Sequence, residues 1–271
     1  MKKLFLTIFS LSLALLLGLF LLNHGEQEET KKIAQVEDVA GVTTPEEETS
    51  LEKISESNKN SASIAEEALK KDTGKDEATK VPFTAQAPLG DWKNEYFQNG
   101  CEEASILMAI KWIDGEPIAS SEDAQAEILD ISKFEEEYFG FALDASLEDV
   151  GKIFSEKYGF TNFKIAKDVT TQKLIGELEK GNIILVPAFG QALGNPNFTS
   201  PGPITHMLVL VGYDAVKKEF ITNDPGTRKG ENYHYKENIL FGAIWAYPSG
   251  KSHPPVPTSI RKKDVLIVKK S

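Results

Sequence analysis

The chain contains one cysteine and four histidines, so any nucleophilic or metal chemistry must be assembled from few parts. Cys101 follows Gly100 at the head of an apolar stretch, residues 100–113. There Ala104, Leu107, Met108 and Trp112 recur on one helical face, with Ile106, Ile110 and Ile113 beside it. A thiol at a helix N-terminus lies among unpaired backbone N–H groups and the positive end of the helix dipole, which favours the nucleophilic thiolate. Glu102 and Glu103 oppose ionisation unless they point away or are paired. Taken alone, Cys101 is equally readable as a small buried hydrophobe.

His206 stands after the turn-like Ser200-Pro201-Gly202-Pro203 and begins the apolar run 206–213. An imidazole at a strand end can face a cleft while the residues behind it anchor the strand. A solvated or hydrogen-bonded histidine at a strand edge fits that position too. His234, between two tyrosines, and His253, in a proline-rich segment, lack such an anchor, and His24 lies at the edge of the N-terminal apolar segment. Asp224, in Asn223-Asp224-Pro225-Gly226, closes the next strand. Adjacent antiparallel strands would bring it to the sheet end that carries His206. A carboxylate there can hold one ring nitrogen and fix the tautomer while the other nitrogen faces sulfur. Asn-Asp-Pro-Gly is also ordinary turn chemistry.

The elements that must position these groups are helices first and strands later. Further helices are expected over residues 121–138, from Ser146 to near Gly159, and from Thr170 or Thr171 to Gly181. Strands are expected over 182–188, 206–213, 219–222 and 242–247, with a last one at 264–268. This order predicts an α+β fold with a mostly antiparallel sheet against which the buried N-terminal helix packs. The Gly- and Pro-rich loop 189–203 borders the expected cleft, and Trp92 and Trp245 are expected to pack in the core.

Four segments differ in character. Residues 1–23 hold Lys2 and Lys3 and then an apolar run over 4–22, long enough as a helix to span roughly 28 Å, near the ~30 Å of a bilayer interior. With lysines on the N-terminal side and no small-residue cleavage site, they read as a signal-anchor in preference to a removed signal peptide, leaving the rest outside the cytoplasm. Residues 24–80 carry 15 Asp/Glu against 8 Lys and no aromatic residue, the composition of a disordered acidic linker. Residues 81–247 read as the globular domain, and 248–271 as a Pro-rich and basic C-terminal extension.

Composition excludes several classes. A net charge of −11 argues against nucleic acid as a partner. One cysteine rules out an intramolecular disulfide framework and any multi-thiolate zinc site. No metal or organic cofactor is suggested.

Three blocks in order carry a family resemblance. Val81-Pro82-Phe83-Thr84-Ala85-Gln86, then Asn99-Gly100-Cys101-Glu102-Glu103-Ala104-Ser105, resembles the opening of the C39-like peptidase domain, a group of papain-like cysteine peptidases. The later blocks Gly202-Pro203-Ile204-Thr205-His206 and Asn223-Asp224-Pro225-Gly226 follow in the same register. The resemblance implies a papain-like fold, a thiolate from Cys101, a general base and acid in His206, and Asp224 as its orienting acid. It also implies a glutamine in the oxyanion hole. The common position, six residues before the cysteine, holds Glu95, so Gln86 is the first candidate and Gln98 the alternative.

Together these readings describe a membrane-tethered cysteine peptidase outside the cytoplasm, cleaving a peptide or isopeptide bond through a Cys101 thioester. Its partners would be a peptide or protein substrate and the membrane. A thiol acyl or γ-glutamyl transferase, a cell-envelope hydrolase acting on a peptide crosslink, and an inactive binding module on the same scaffold remain alternatives.

Overall fold

Aliphatic runs with no polar alternation belong to strands covered on both faces, because each exposed position would otherwise leave an apolar side chain in water. Residues Ile183–Phe189 (β2) and Thr205–Asp214 (β3) are such runs, and nearly every side chain in them is buried. The computed structural model describes residues 79–260 and 262–270. The expected anchor at 1–23 and all but the last residues of the linker at 24–80 lie outside the described residues. Among the described residues no helix is long and apolar enough to cross a membrane.

Four more strands complete one antiparallel sheet: Phe163–Ala166 (β1), Glu219–Asn223 (β4), Tyr233–Lys236 (β5) and Val265–Val268 (β6), in the order β1-β6-β2-β3-β4-β5. Strand alternation sorts the sheet into two faces. Ile183, Leu185, Met207, Val209 and Val211 join one apolar cluster, while Ile184, Val186, Leu208, Leu210 and Phe220 join the other. The strand expected near the C-terminus forms, and it enters the sheet between β1 and β2.

The helices are α1 (Glu95–Gln98), α2 (Cys101–Asp114), α3 (Ser121–Phe139), α4 (Leu147–Lys152), α5 (Thr171–Leu178), α6 (Gly190–Leu193) and α7 (Glu237–Ala243). A π-helical turn, Ile153–Lys157, continues α4. Helices α3, α4 and α5 start at Ser120, Ser146 and Thr170, whose side-chain oxygens each accept from a backbone N–H three residues on; the starts at Ser146 and Thr170 are those expected. Helix α2 packs on β3 and α3 and buries eleven of its fourteen residues. Replacing its fully buried Leu107 by Ala would cost about 2–5 kcal/mol through the cavity left behind.

One expected strand does not form. Residues 242–247 read as a strand because of their apolar and aromatic content, yet Gly242 and Ala243 end α7. Leu240 and Ala243, three residues apart, turn into the cluster on the far face of the sheet, which rewards a helical period over an alternating one. Ile244 keeps only a single bridge, to Ala188. Strands β1 and β5 were not anticipated, being four residues each with little apolar alternation.

Candidate active site

Antiparallel pairing of β3 with β4, with a bulge between Leu210 and Gly212, sets Val209 opposite Asn223. His206 and Asp224 therefore leave the sheet at the same end, as the sequence suggests. Parity along the strands puts both on the face that carries Leu208 and Phe220. His206 Nε2 lies 2.8 Å from Asp224 Oδ1, and the two side chains are 1% and 0% exposed. This bond leaves Nδ1 as the nitrogen available to a reacting group. The Phe198 ring meets the imidazole edge to face at 5.3 Å and restricts its rotation.

Asp224 is held from all sides. Its Oδ1 also accepts from the Gly226 N–H at 2.9 Å, and its Oδ2 accepts from the Tyr235 hydroxyl and from Asn195 Nδ2 at 3.3 Å. Asn195 Nδ2 in turn approaches the Tyr235 oxygen at 2.7 Å. Burial alone would raise the Asp224 carboxyl. The His206 charge and the donors from His206, Tyr235 and Gly226 outweigh it and hold the acid below the usual range. Burial and the Asp224 charge push the Tyr235 phenol far up, so it stays a donor. Gly226 admits no side chain: a Cβ there would lie 2.8 Å from Phe198, 2.9 Å from the His206 ring and 3.2 Å from Asp224 Oδ1.

Cys101 comes from the opposite face of the sheet, at the first position of α2, where Gly100 offers no side chain to cap the helix. Ser105, one turn on, donates to the Met207 carbonyl at 3.3 Å and ties the cysteine helix to the histidine strand. Cys101 and His206 line one cavity of about 400 Å³ together with Gln86, Trp92, Gln98 and Asn99. Asp224 stands behind His206 and does not line it.

The sulfur is engaged by its chain neighbour. Its S–H donates to Glu102 Oε2 at 2.9 Å, and among the described residues no hydrogen bond joins it to His206. Burial first, and then the Glu102 charge and hydrogen bond, push the Cys101 thiol well above its ordinary range, against a smaller lowering by the Met207 backbone. The lowering expected from the helix terminus is thus overridden in this rotamer. The sequence left open whether the two following acids are paired, and both are. Glu102 Oε1 accepts from the Tyr247 hydroxyl at 2.7 Å and the Ala145 N–H at 3.3 Å. Burial, then the charges of Glu103 and Asp144, hold Glu102 up at about 8. Glu103 Oε1 accepts from Ser132 at 2.9 Å. Its Oε2 is sealed from solvent without a donor unless Glu135 keeps a proton and supplies one. Burial raises Glu103 to about 7, and burial and the Glu103 charge push Glu135 well above its ordinary range.

Gln86 lines the cavity, but its Nε2 donates to the carbonyls of Phe97 and Gln98 at 2.9 and 2.8 Å, and its Oε1 is buried without a partner. Those two carbonyls orient the amide, so its hydrogens are committed to the chain ahead of α2. The exposed Gln98 side chain lines the same cavity with no such commitment. Trp92 is partly buried against the core and also forms cavity wall. Trp245 meets Phe189 and Tyr247 ring to ring but is half-buried and outside both apolar clusters, so the expected core packing is not what it does.

Two features escaped the sequence. His253, set aside there, lines the cavity with Nδ1 2.9 Å from Asp144 Oδ2 and 3.2 Å from Thr205 Oγ1. The segment that carries it is fastened by a bridge from Asp144 to Gly250 and by the Ser249 hydroxyl, which donates to Asp149 and accepts from the Ser146 N–H at 2.7 Å. Tyr235 and Asn195, the supports of Asp224, were likewise unseen. Among the described residues no cluster of three or more His, Cys, Asp and Glu is arranged to hold a metal ion.

A cysteine at a buried helix end and a His–Asp pair at a sheet end, facing one cavity, define the scaffold in which comparisons with known proteins find a match. The chain belongs to the Peptidase C39-like family, whose model matches residues 78–252. Comparison with curated proteins returns no match. A crystal structure from Bacillus anthracis, provisionally assigned as a C39-like peptidase, covers 71% of this chain and 96% of its own at 14% identity and a TM-score of 0.42.

Proposed function

We propose that the protein is a cysteine peptidase that cleaves a peptide or isopeptide bond through a thioester on Cys101. One observation carries this reading: Cys101 and His206 line one cavity while Asp224 occupies His206 Nε2, so the nitrogen left over is the one a thiol in that cavity would meet.

The reaction begins when Sγ leaves Glu102 by rotation about χ1, a step between staggered wells. The thiol proton passes to His206 Nδ1, and Asp224 steadies the imidazolium through Nε2. Sulfur attacks the carbonyl carbon and the C=O pair moves to oxygen. The Cys101 backbone N–H at the uncapped helix start is the first donor for that oxyanion. Gln98 takes the second donor role in preference to Gln86, whose amide hydrogens are already bound. His206 then gives its proton to the departing amine, and the C–N bond breaks to leave the thioester. Water, deprotonated by the same imidazole, attacks the thioester carbonyl and frees the acid and the thiol.

An outward-facing membrane tether, which rests on residues 1–23 alone, completes the proposal. The test is a peptide-library digest with the full chain beside Cys101→Ala. New amine termini that depend on Cys101 support hydrolysis. Amide products that appear only when an amine acceptor is added would shift the reading to transfer. No Cys101-dependent product in either case would sink both.

A further inference from the structure

Against a net charge of −11, the walls of this cleft stand out electrostatically. The cavity that holds Cys101 continues into a second groove of about 500 Å³, with which it shares Trp92, Thr199 and Gly226. Arg228 and Lys229 line that groove. Both are exposed, and among the described residues neither makes an ion pair or a side-chain hydrogen bond. Arg228 is also seated: its guanidinium lies where a side chain on Gly90 would be, 1.6 Å from the Cβ position, and Gly90 has φ +81°. The residue at position 90 thus makes room for this cation beside Trp92.

At the other end, beside Thr205, stands His253, with a side chain 43% exposed. Asp144, only 2% exposed, takes its Nδ1, which leaves Nε2 as the free polar atom of a half-exposed ring on the cleft wall. Among the described residues Asp144 is the one carboxylate lining either cavity, and it is covered by the histidine it holds. Among the described residues no exposed carboxylate lines this groove, and two unpaired cations stand at one end of it.

We infer that the cleft takes an anionic peptide, with a substrate carboxylate against Arg228 and Lys229 on the Gly226 side. The inference rests on the peptidase reading for the position of the scissile bond, but the selectivity is a property of binding. Like-charge exclusion by the rest of the surface leaves such a groove as the place where an acidic chain gains by docking.

The test uses the full-length Cys101→Ala chain and three labelled peptides of one length that differ only in carrying Glu, Gln or Lys on both sides of a central bond. Fluorescence anisotropy reads their affinities. The Glu peptide is expected to bind tightest, and its advantage to shrink as salt rises from roughly 20 to roughly 500 mM. Adding Arg228→Ala with Lys229→Ala should weaken the Glu peptide about three- to tenfold and leave the Gln peptide unchanged, since each exposed pair is modest. Melting curves check that this surface variant folds. Gln or Lys peptides that bind as well as Glu, an advantage that survives the double substitution, or no measurable Glu-peptide binding would each overturn the inference. Acid-selective binding with no cleavage by the unsubstituted chain would sink the peptidase reading alone. Equal binding and equal cleavage of all three peptides would sink the inference alone.

Discussion

Two buried carboxylates adjoin the two groups proposed to react, Glu102 beside Cys101 and Asp224 beside His206, 1% and 0% exposed. Equal burial gives them opposite titration: Asp224 is held below its ordinary range and Glu102 is raised to about 8. Asp224 faces an imidazole and three further donors. Glu102 has a phenol, a backbone N–H and a weakly donating thiol, with two more acids near it. Desolvation costs both anions alike, and the partners decide which one stays charged. The partners on the histidine side thus favour the charged acid, whereas those beside Cys101 favour the protonated one.

The largest effects should come from the reacting pair. Cys101→Ala should abolish turnover, and His206→Ala should lower kcat/KM by about 10²–10⁴-fold, the usual range of a general acid–base group; steady-state kinetics on a cleaved peptide checks both. If His206→Ala retains most activity, the two sides of the cleft are not coupled.

Next in size is Asp224→Asn. An amide presents one acceptor and one donor, so either Nε2 of His206 or the Tyr235 and Asn195 donors would face an N–H group. Activity should fall at least about 10²-fold through loss of the held tautomer. Thermal unfolding should show a cost of about 1–3 kcal/mol for the unsatisfied donors.

The buried acids on the cysteine side predict a stability that falls with rising pH. Their folded values, about 8 for Glu102 and about 7 for Glu103, lie above the ~4.3 of an unfolded glutamate. The native chain therefore binds more protons between roughly pH 4 and 8, and the stabilisation present below that window is lost as pH rises through it. Each tenfold change in proton affinity is worth about 1.4 kcal/mol, so the loss should be resolved in melting curves against pH. Glu102→Gln removes part of that dependence, so its melting temperature should gain on the unsubstituted protein above about pH 8. A parallel pair of melting curves against pH would contradict the account of Glu102. Asp224 has the opposite sign: its contribution is full above the unfolded value and is lost only in acid.

The smallest effect is expected from Tyr235→Phe. Removing one donor of several from Asp224 should cost about 1–2 kcal/mol. It should also move the acid limb of the activity–pH profile upward, because Asp224 loses part of what lowers it. A change in activity with no movement of that limb would make Tyr235 a packing residue.

Where the sequence was legible, local pattern carried the information. The periodic apolar face after Gly100 marked α2, the uninterrupted run after Thr205 marked β3, and Asn-Asp-Pro-Gly marked the strand exit at Asp224. Each is decided within a dozen residues. The supports were illegible because they are made by distant chain: Tyr247 reaches Glu102 across 145 positions and His253 reaches Asp144 across 109. A polar side chain in a short run, such as Tyr235 in β5, gives no sign of its partner. The two glutamates after Cys101 had an ordinary reading as first-turn helix acids. Only the packing of α3, Ala145 and Tyr247 around them shows that they are sealed and hold protons. Gln86 illustrates the opposite case, a motif position that lines the cavity but whose donors the fold has already used.

The most direct measurement is the rate of Cys101 alkylation by iodoacetamide against pH, in the full-length chain and in His206→Ala. The account predicts that near pH 7 the unsubstituted protein reacts at least about tenfold faster, and that the two rates converge well above pH 9, where the thiol ionises without a base. Identical rates at every pH, or a cysteine that reacts only after denaturation, would contradict it.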